Sequence, residues 1–473
     1  MSPLLTPSAV YAQRRAAIGR ALQAAGGGVA LLPTAPESPR NRDSDFPYRH
    51  DSYFYYLTGF SEPGAWLVIE ASGKNAQSIK STLFCQPKDL EREIWDGIRL
   101  GPEAAPAELG IEAAFSVDTL AEKMPDLLAN QQAVWFPFAT HKGLETTVDG
   151  WLNKVRARVR LGTECPQSLH DLCKPLDEMR LVKDPHEIAI LRRAGSISAG
   201  AHVRAMQTSS AMLRSGIEGG LREYHLEAEL LHEFRRHGAQ FPAYTSIVAA
   251  GANACVLHYR AGNTELKAGQ LCLIDAGCEL DGYASDITRT FPAGGKFTPA
   301  QRLLYDIVQA AQEAAIAVTR PGQRFIDPHN AATRVLIEGM LDTGLLAKAK
   351  HGSVDDVLES GAYRQFYMHR TGHWMGMDVH DCGDYTEPGS EPQPEKDALG
   401  QLVMRKPSRI LKPGMVLTIE PGLYVRPAKG VPKKFWDIGI RIEDDALVTP
   451  EGCELLTRGV PVKAGEIEAL MRG

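Results

Sequence analysis

The sequence predicts two unlike domains, an α/β domain over residues 1–175 and an α+β domain over residues 176–473. Three observations carry that prediction. A chain of 473 residues is too long for one ordinary core. Its first 170 residues alternate short apolar runs with helical periodicity, the pattern of an α/β fold. Between the halves, DLCKPLDEMRLVKDP at 171–185 is charged and broken by two prolines, and reads as a linker.

In the first half, the opening MSPLLTPSAVYAQRRAAIGRALQAAGGG reads as an amphipathic helix. Its arginines follow a weakly apolar stretch, against the basic-then-apolar order of a secretory signal. WLVIEA at 66–71, STLFCQP at 81–87 and AVWFPF at 133–138 are β-branched or aromatic runs bounded by turn residues, and predict strands. In the second half Asp184 is a helix cap, Pro185 suits the first helical position and Glu187 completes a capping box, with periodicity to about Gln207. REYHLEAELLHEFRRHG predicts a second helix ending at Gly238. Strands are expected at SIVAAG, LCLIDAG, MVLTIEPG and IGIRIEDDALVT, with helices near 299–319 and 329–342.

Composition narrows the function classes. With 44% hydrophobic and 23% charged residues the chain is globular in type, without repeats or low-complexity tracts. A net charge of -6 and a pI near 6.2 argue against a nucleic-acid partner. No run of eighteen apolar residues is present, so no membrane span is expected. Eight cysteines form no CxxC pair, which fits free thiols in a reducing compartment and a cytoplasmic location.

The most informative segment is LCLIDAGCELDGYASDITRTF at 271–291. If its hairpin turns symmetrically between Leu280 and Asp281, Asp275 and Asp286 are directly opposed. Opposed like charges on half-buried strands are unfavourable, so a positive partner is required: an arginine, a shared proton or metal cations. Arg289 lies three positions beyond Asp286 and leaves from the other face. The bland alternative makes each aspartate a turn residue. A second carboxylate pair lies further on. Glu420 ends the run MVLTIE before a Pro-Gly turn, and Glu443 shares a strand face with Arg441, although Glu443-Asp444-Asp445 also reads as a solvated acidic edge.

HRTGHWMGMDVHD at 369–381 places three of the chain's 14 histidines four and then seven residues apart. Four carboxylates and an imidazole would form an oxygen-rich set suited to Mn2+, Co2+, Fe2+ or Zn2+. Such a set can hold a pair of ions about 3.5–4 Å apart. A lone histidine is more often packed or at the surface, so spacing alone identifies no ligand. The HExxH motif is excluded, because Arg370 stands where its glutamate belongs and Gly372 argues against a helix.

These motifs carry a resemblance. IDAG…SDITRTF, GHWMGMDVHD, LTIEPGLY and RIEDD occur in the order of the metal-binding series of the pita-bread metallopeptidases. NRDSDFPYRHDSYFYYLTGF, EIWDGIRLG, LRRAGSISAGAHVRAM and the run through EGCELLTRGVPV extend the likeness over essentially the whole chain, to the aminopeptidase P group of bacterial type. The resemblance implies a pita-bread catalytic domain and a dinuclear enzyme that hydrolyses the N-terminal Xaa-Pro bond of peptides through a metal-bridging hydroxide. It implies two divalent ions, Mn2+ first and Co2+, Zn2+ or Fe2+ next. Asp275 would hold one metal, Asp286 and Glu443 would bridge, His373 and Glu420 would complete the other, and Glu420 would also shuttle the proton. His258 and His380 would sit beside the scissile carbonyl, and His369 and Arg441 around the proline side. Asp45 and Trp95 would reach the substrate rim, Trp95 from a neighbouring subunit of a dimer or tetramer. The N-terminal domain would serve oligomerisation and cleft shaping.

An X-Pro bond is a tertiary amide without an N–H, which gives such a specialised enzyme its purpose. Two other activities stay open at this stage: a prolidase confined to Xaa-Pro dipeptides, and a non-catalytic binding protein of the same fold. Two departures stand out. Arg370 and Thr371 fill positions that are often small or apolar, and 387–410 looks like a long surface loop near the cleft.

Overall fold

The computed structural model describes residues 7–73, 78–396 and 401–472. The chain divides into two compact units that meet between Met179 and Arg180.

The first unit is built on a six-stranded mixed sheet. Its strands are β1 (Gly28–Pro33), β2 (Trp66–Ala71), β3 (Ile79–Cys85), β4 (Ala113–Ser116), β5 (Ala133–Phe136) and β6 (Ser168–Asp171), in the order β4-β3-β2-β1-β5-β6. Every residue of β1, GVALLP, is buried, as a central strand covered on both faces requires. The three strands expected from sequence form here, within two residues of their expected ends. The first helix, Pro7–Ala24, buries Val10, Tyr11, Ile18 and Leu22 at helical spacing, and Arg14 and Arg15 lie on that same inner face. Their guanidinium groups donate to the carbonyls of Tyr56 (3.1 Å) and Leu57 (2.9 Å), which explains why the amphipathic pattern is weak in the sequence. The segment expected as a linker is instead helical over Cys173–Leu181. Pro175 falls in the first turn, where no backbone donor is needed, so the proline does not break it.

The second unit is α+β. Asp184 caps the helix Pro185–Ser215 with the full capping box, and Gly216 ends it in the left-handed conformation, a turn or two beyond the expected end. The helices Glu223–Arg236, Pro299–Val318 and Asp327–Thr343 form where periodicity predicts them. Small antiparallel sheets pack on these helices around one core that includes Leu226, Phe234, Leu304, Val308, Leu336 and Ile337. One sheet joins β7 (Ile247–Ala250), β8 (Leu271–Asp275) and β11 (Thr288–Pro292). Between β8 and β11, β9 (Cys278–Leu280) turns into β10 (Tyr283–Ala284). The strands β12 (Gln393–Lys396) and β13 (Leu402–Arg405) pair with each other. The C-terminal strands are β14 (Val416–Ile419), β15 (Gly422–Val425), β16 (Ile438–Arg441) and β17 (Asp444–Val448); β14 pairs with β17 and β15 with β16.

Two further sequence expectations are corrected. Asp281 and Gly282, at φ 49° and 79°, are the two central residues of the β9–β10 turn, so Leu280 faces Tyr283 and Asp275 faces Thr288. Asp286 therefore lies off the ladder and not opposite Asp275. The segment 387–410 is not simply a loop. It carries the paired strands β12 and β13, and residues 397–400 lie outside the described residues.

Candidate active site

A cavity of about 1720 Å3 opens in the second unit. Asp275, Asp286, His373, Glu420, Glu443, His258, His369, His380 and Arg441 all line it, together with Arg370 and Thr371. They reach it from the loop after β7, from the end of β8, from the irregular stretch before β11, from the segment 369–380 and from the ends of β14 and β16.

Backbone pairing explains the meeting of His373 and Glu420, which lie far apart in sequence. The extended stretch around His373 runs along β14: Thr418 N–H donates to His373 O (3.0 Å), Glu420 N–H to Thr371 O (2.8 Å) and Met375 N–H to Val416 O (3.1 Å). Gly372 permits that approach, since a Cβ there would lie 2.0 Å from Thr418 O. Glu443 is held by its own backbone N–H on Thr288 O (3.0 Å) and by Thr288 Oγ1, which donates to its carboxylate (2.6 Å). Asp286 N–H donates to the buried Asp445 carboxylate (3.0 Å).

Asp286, His373 and Glu443 bring ligand atoms within 4.8 Å of one another, all three side chains buried. His373 Nδ1 lies 3.0 Å from Trp374 O, where only a protonated nitrogen can donate. That leaves Nε2 facing Asp286 (3.5 Å) and Glu420 (3.9 Å). Asp275 is close by but differently engaged. Arg441 Nη2 donates to its Oδ2 (2.5 Å), while Tyr244 O–H reaches both Asp275 (2.6 Å) and Asp286 (2.5 Å). One hydroxyl proton cannot serve two ionised carboxylates at once. Of the positive partners the sequence calls for, Arg441 is thus present at Asp275, and Arg289 is turned away onto Asp444.

The electrostatics report crowding. Burial pushes Glu420 up to about 7, and burial with the neighbouring carboxylates pushes Glu443 well above its ordinary range. Burial also raises Asp275, against the pull of Arg441. His373 resists its own burial because Asp286 hydrogen-bonds and attracts its charged form, which carries it up to about 9; Asp286 is held low by the same contact despite burial. Buried carboxylates in this density call for more positive charge than one imidazolium and one guanidinium provide. Hard oxygen donors around one imidazole make the set a good fit for divalent cations.

The remaining histidines surround this cluster. His380 stacks on His373 with ring centroids 3.9 Å apart and 11° between planes, and burial and the His373 charge lower its pKa. His369 Nε2 lies 2.9 Å from Tyr424 O–H, which also accepts from Arg441 Nη1 (2.9 Å). Burial and Arg441 hold His369 down to about 3, so it is neutral. His258 is exposed on the cavity wall.

Asp45 and Trp95 are not among the lining residues. Both are in the first unit, Asp45 exposed in a short hairpin and Trp95 on the helix Leu90–Asp96 with 84% of its surface exposed. Sequence reasoning missed Tyr244, Tyr424, Thr288 and His329. His329 lines the cavity and lies 2.9 Å from Thr371 Oγ1, with burial lowering it to about 4. Thr371, an apparent oddity in the sequence, is thus a buried link between His329 and Tyr367. Tyrosines in mixed polar stretches such as FPAYTS carry no spacing signal.

Comparison with known proteins fits this geometry. Residues 189–450 match metallopeptidase family M24, and residues 11–135 match the aminopeptidase P N-terminal domain. The Xaa-Pro aminopeptidase of Escherichia coli (strain K12) is 42% identical over 461 residues, 98% of this chain and 97% of that protein. The structure of Pseudomonas aeruginosa aminopeptidase PepP superposes with a TM-score of 0.89 at 42% identity, covering 99% of both chains. A zinc-substituted E. coli aminopeptidase P in complex with product superposes with a TM-score of 0.88 at 41% identity, again covering 99% of both chains.

Proposed function

The chain belongs to metallopeptidase family M24, with an aminopeptidase P N-terminal domain ahead of a pita-bread catalytic fold, and we propose on that premise that it is an Xaa-Pro aminopeptidase. The observation that supports this most is the buried cluster of Asp286, His373 and Glu443, flanked by Asp275 and Glu420, in one cavity with His258, His369 and His380. The enzyme takes peptides with proline in second position and releases the residue before it.

The family implies divalent metals. In this reading Asp275, Asp286, His373, Glu420 and Glu443 hold two ions, with Mn2+ the first choice. Bound there, they supply the positive charge that ionises a water and polarises the scissile carbonyl. The protein's own residues do the rest. Glu420, a carboxylate that lines the cavity 3.9 Å from His373 Nε2, would carry a proton from the water to the leaving proline nitrogen. His258 and His380 donate to the carbonyl oxygen as it gains charge. His369, kept neutral, and Arg441 shape the proline side through Tyr424.

The proposal extends to the organisation of the protein. Residues 1–175 form a domain for oligomerisation and cleft shaping, 176–473 the catalytic domain, and the protein works as a cytoplasmic homo-oligomer. Eight free cysteines are consistent with a reducing compartment. Among the described residues, no helix is long and apolar enough to cross a membrane.

Hydrolysis of Xaa-Pro-Yaa, Xaa-Pro and Xaa-Ala-Yaa by Mn2+-loaded protein tests the reading. Preferential cleavage of the first is expected. Cleavage of the dipeptide alone would make the protein a prolidase, and full activity and full metal content in Asp286→Ala would refute the dinuclear centre.

A further inference from the structure

Glu223 opens the helix Glu223–Arg236 and is 0% exposed, an expensive place for a carboxylate unless it is fully hydrogen-bonded. It is. One oxygen accepts from Ala250 N–H (2.9 Å) and from Asn253 Nδ2 (2.9 Å). The other accepts from Tyr259 O–H (2.9 Å) and from Gly262 N–H (3.1 Å). Two backbone bonds reinforce the contact, Glu223 N–H to Thr264 O (3.2 Å) and Tyr224 N–H to Gly262 O (3.3 Å).

The four donors straddle His258: two precede it in the chain and two follow it. The segment between them leaves β7 as a single 3-10 turn over Gly251–Cys255. Arg426 adds one support, donating to Cys255 O (3.2 Å). His258 itself projects on the cavity wall, and among the described residues no hydrogen bond fixes its ring. Its place therefore depends on its loop. Ala254, Cys255, Leu257 and Tyr259 pack that loop on Leu273 and Tyr424, Thr264 Oγ1 meets Asn253 Nδ2 (3.2 Å) and Tyr259 O–H (3.3 Å), and the Glu223 carboxylate ties its two ends together.

We infer that Glu223 is a positioning residue for the reaction: its carboxylate clamps the loop Ala250–Gly262 at both ends and so sets where His258 stands in the cavity. This rests on the role given to His258 under the proposed function. A glutamine has the same shape but cannot do the same work. Its oxygen can serve only one side, and its amide nitrogen faces the other, so the backbone N–H of Ala250 or of Gly262 loses its acceptor whichever way the amide turns.

The test compares Glu223→Gln, His258→Ala and the double variant in steady-state kinetics on Xaa-Pro-Yaa. It also follows amide hydrogen exchange of residues 251–262 without substrate. Glu223→Gln is expected to lower kcat by about 10- to 100-fold with KM little changed. The double variant should be no slower than His258→Ala alone, because a misplaced side chain that is already absent costs nothing more. Exchange in the loop should rise at least tenfold. Asn253→Ala removes one of the four bonds and should show a smaller loss with the same non-additivity. It carries the test if Glu223→Gln folds poorly. Multiplying losses in the double variant, or unchanged loop exchange, would overturn the inference and leave Glu223 a helix-end contact. If His258→Ala keeps full kcat, both the inference and the role assigned to His258 fall. If the wild-type protein cleaves no Xaa-Pro peptide while the loop still loosens in Glu223→Gln, the substrate reading fails and the clamp stands.

Discussion

Loading the centre with metal is expected to expel protons, and the structure says from which groups. A histidine ligand must be neutral and carboxylate ligands must be ionised. His373, at about 9, enters that exchange carrying nearly a full proton at pH 7.5. Glu420, at about 7, adds a fraction of one, and the upward push on Glu443 acts in the same direction. At least one proton is therefore released at pH 7.5. Affinity for Mn2+ should then rise at least tenfold per pH unit near neutrality, or about 1.4 kcal/mol. The slope should fall above pH 9, once His373 has lost its own proton. Calorimetric titration in two buffers of different ionisation heat reads the proton count directly, and competition with a chelating dye across pH 6.5–8.5 reads the slope. His373→Ala should weaken binding and remove about one proton from the count. Buffer-independent heats, or an affinity flat in pH, would refute the reasoning and with it the crowding of carboxylates on which it depends.

Three further outcomes follow from the structure. Asp381 is 1% exposed and holds Arg180 (2.6 Å) and Lys183 (2.8 Å), so Asp381→Asn should cost about 3 kcal/mol in a denaturant melt by leaving buried cations short of charge. His202 is fully buried against Ala276 O and held down to about 4 by burial, so it stays neutral in the fold. Its contribution to stability is complete above pH 6.5 and is lost as pH falls toward 4. About 3 kcal/mol of acid sensitivity in the thermal melt should therefore disappear in His202→Gln. Gly372→Ala would drive a Cβ into Thr418 O and should displace His373, seen as lost metal stoichiometry and a stability loss of more than about 2 kcal/mol.

Much of this was legible in the residues because it repeats at short range. The capping box of Asp184 and Glu187, and the strands WLVIEA and AVWF, depend on neighbours within a few positions. The carboxylates and histidines of the cavity were visible as charges in apolar runs, and their order carried the family resemblance. Register was harder. Placing Asp281 and Gly282 together at the centre of the turn would have paired Asp275 with Thr288; centring the turn one residue earlier produced a symmetric pair of aspartates that the fold does not contain. What the fold supplies in its place, Tyr244 between the two carboxylates and Arg441 on Asp275, comes from 31 and 166 residues away. No local pattern encodes contacts of that range. The 171–185 segment misled for the opposite reason, since its prolines fall at helix positions that tolerate them.

The centre is also divided in its mechanical support. The residues proposed to hold the ions stand at the ends of strands laced by ladder bonds and against β14, whereas His258 rides on a loop whose two ends are joined through the Glu223 carboxylate. Loops open at lower free energy than sheet cores. On warming, then, the protein should pass through a range in which it retains its ions yet turns over slowly. Heat inactivation and metal loss would be two events with separate midpoints, and cooling from between them would restore activity without any ion being added.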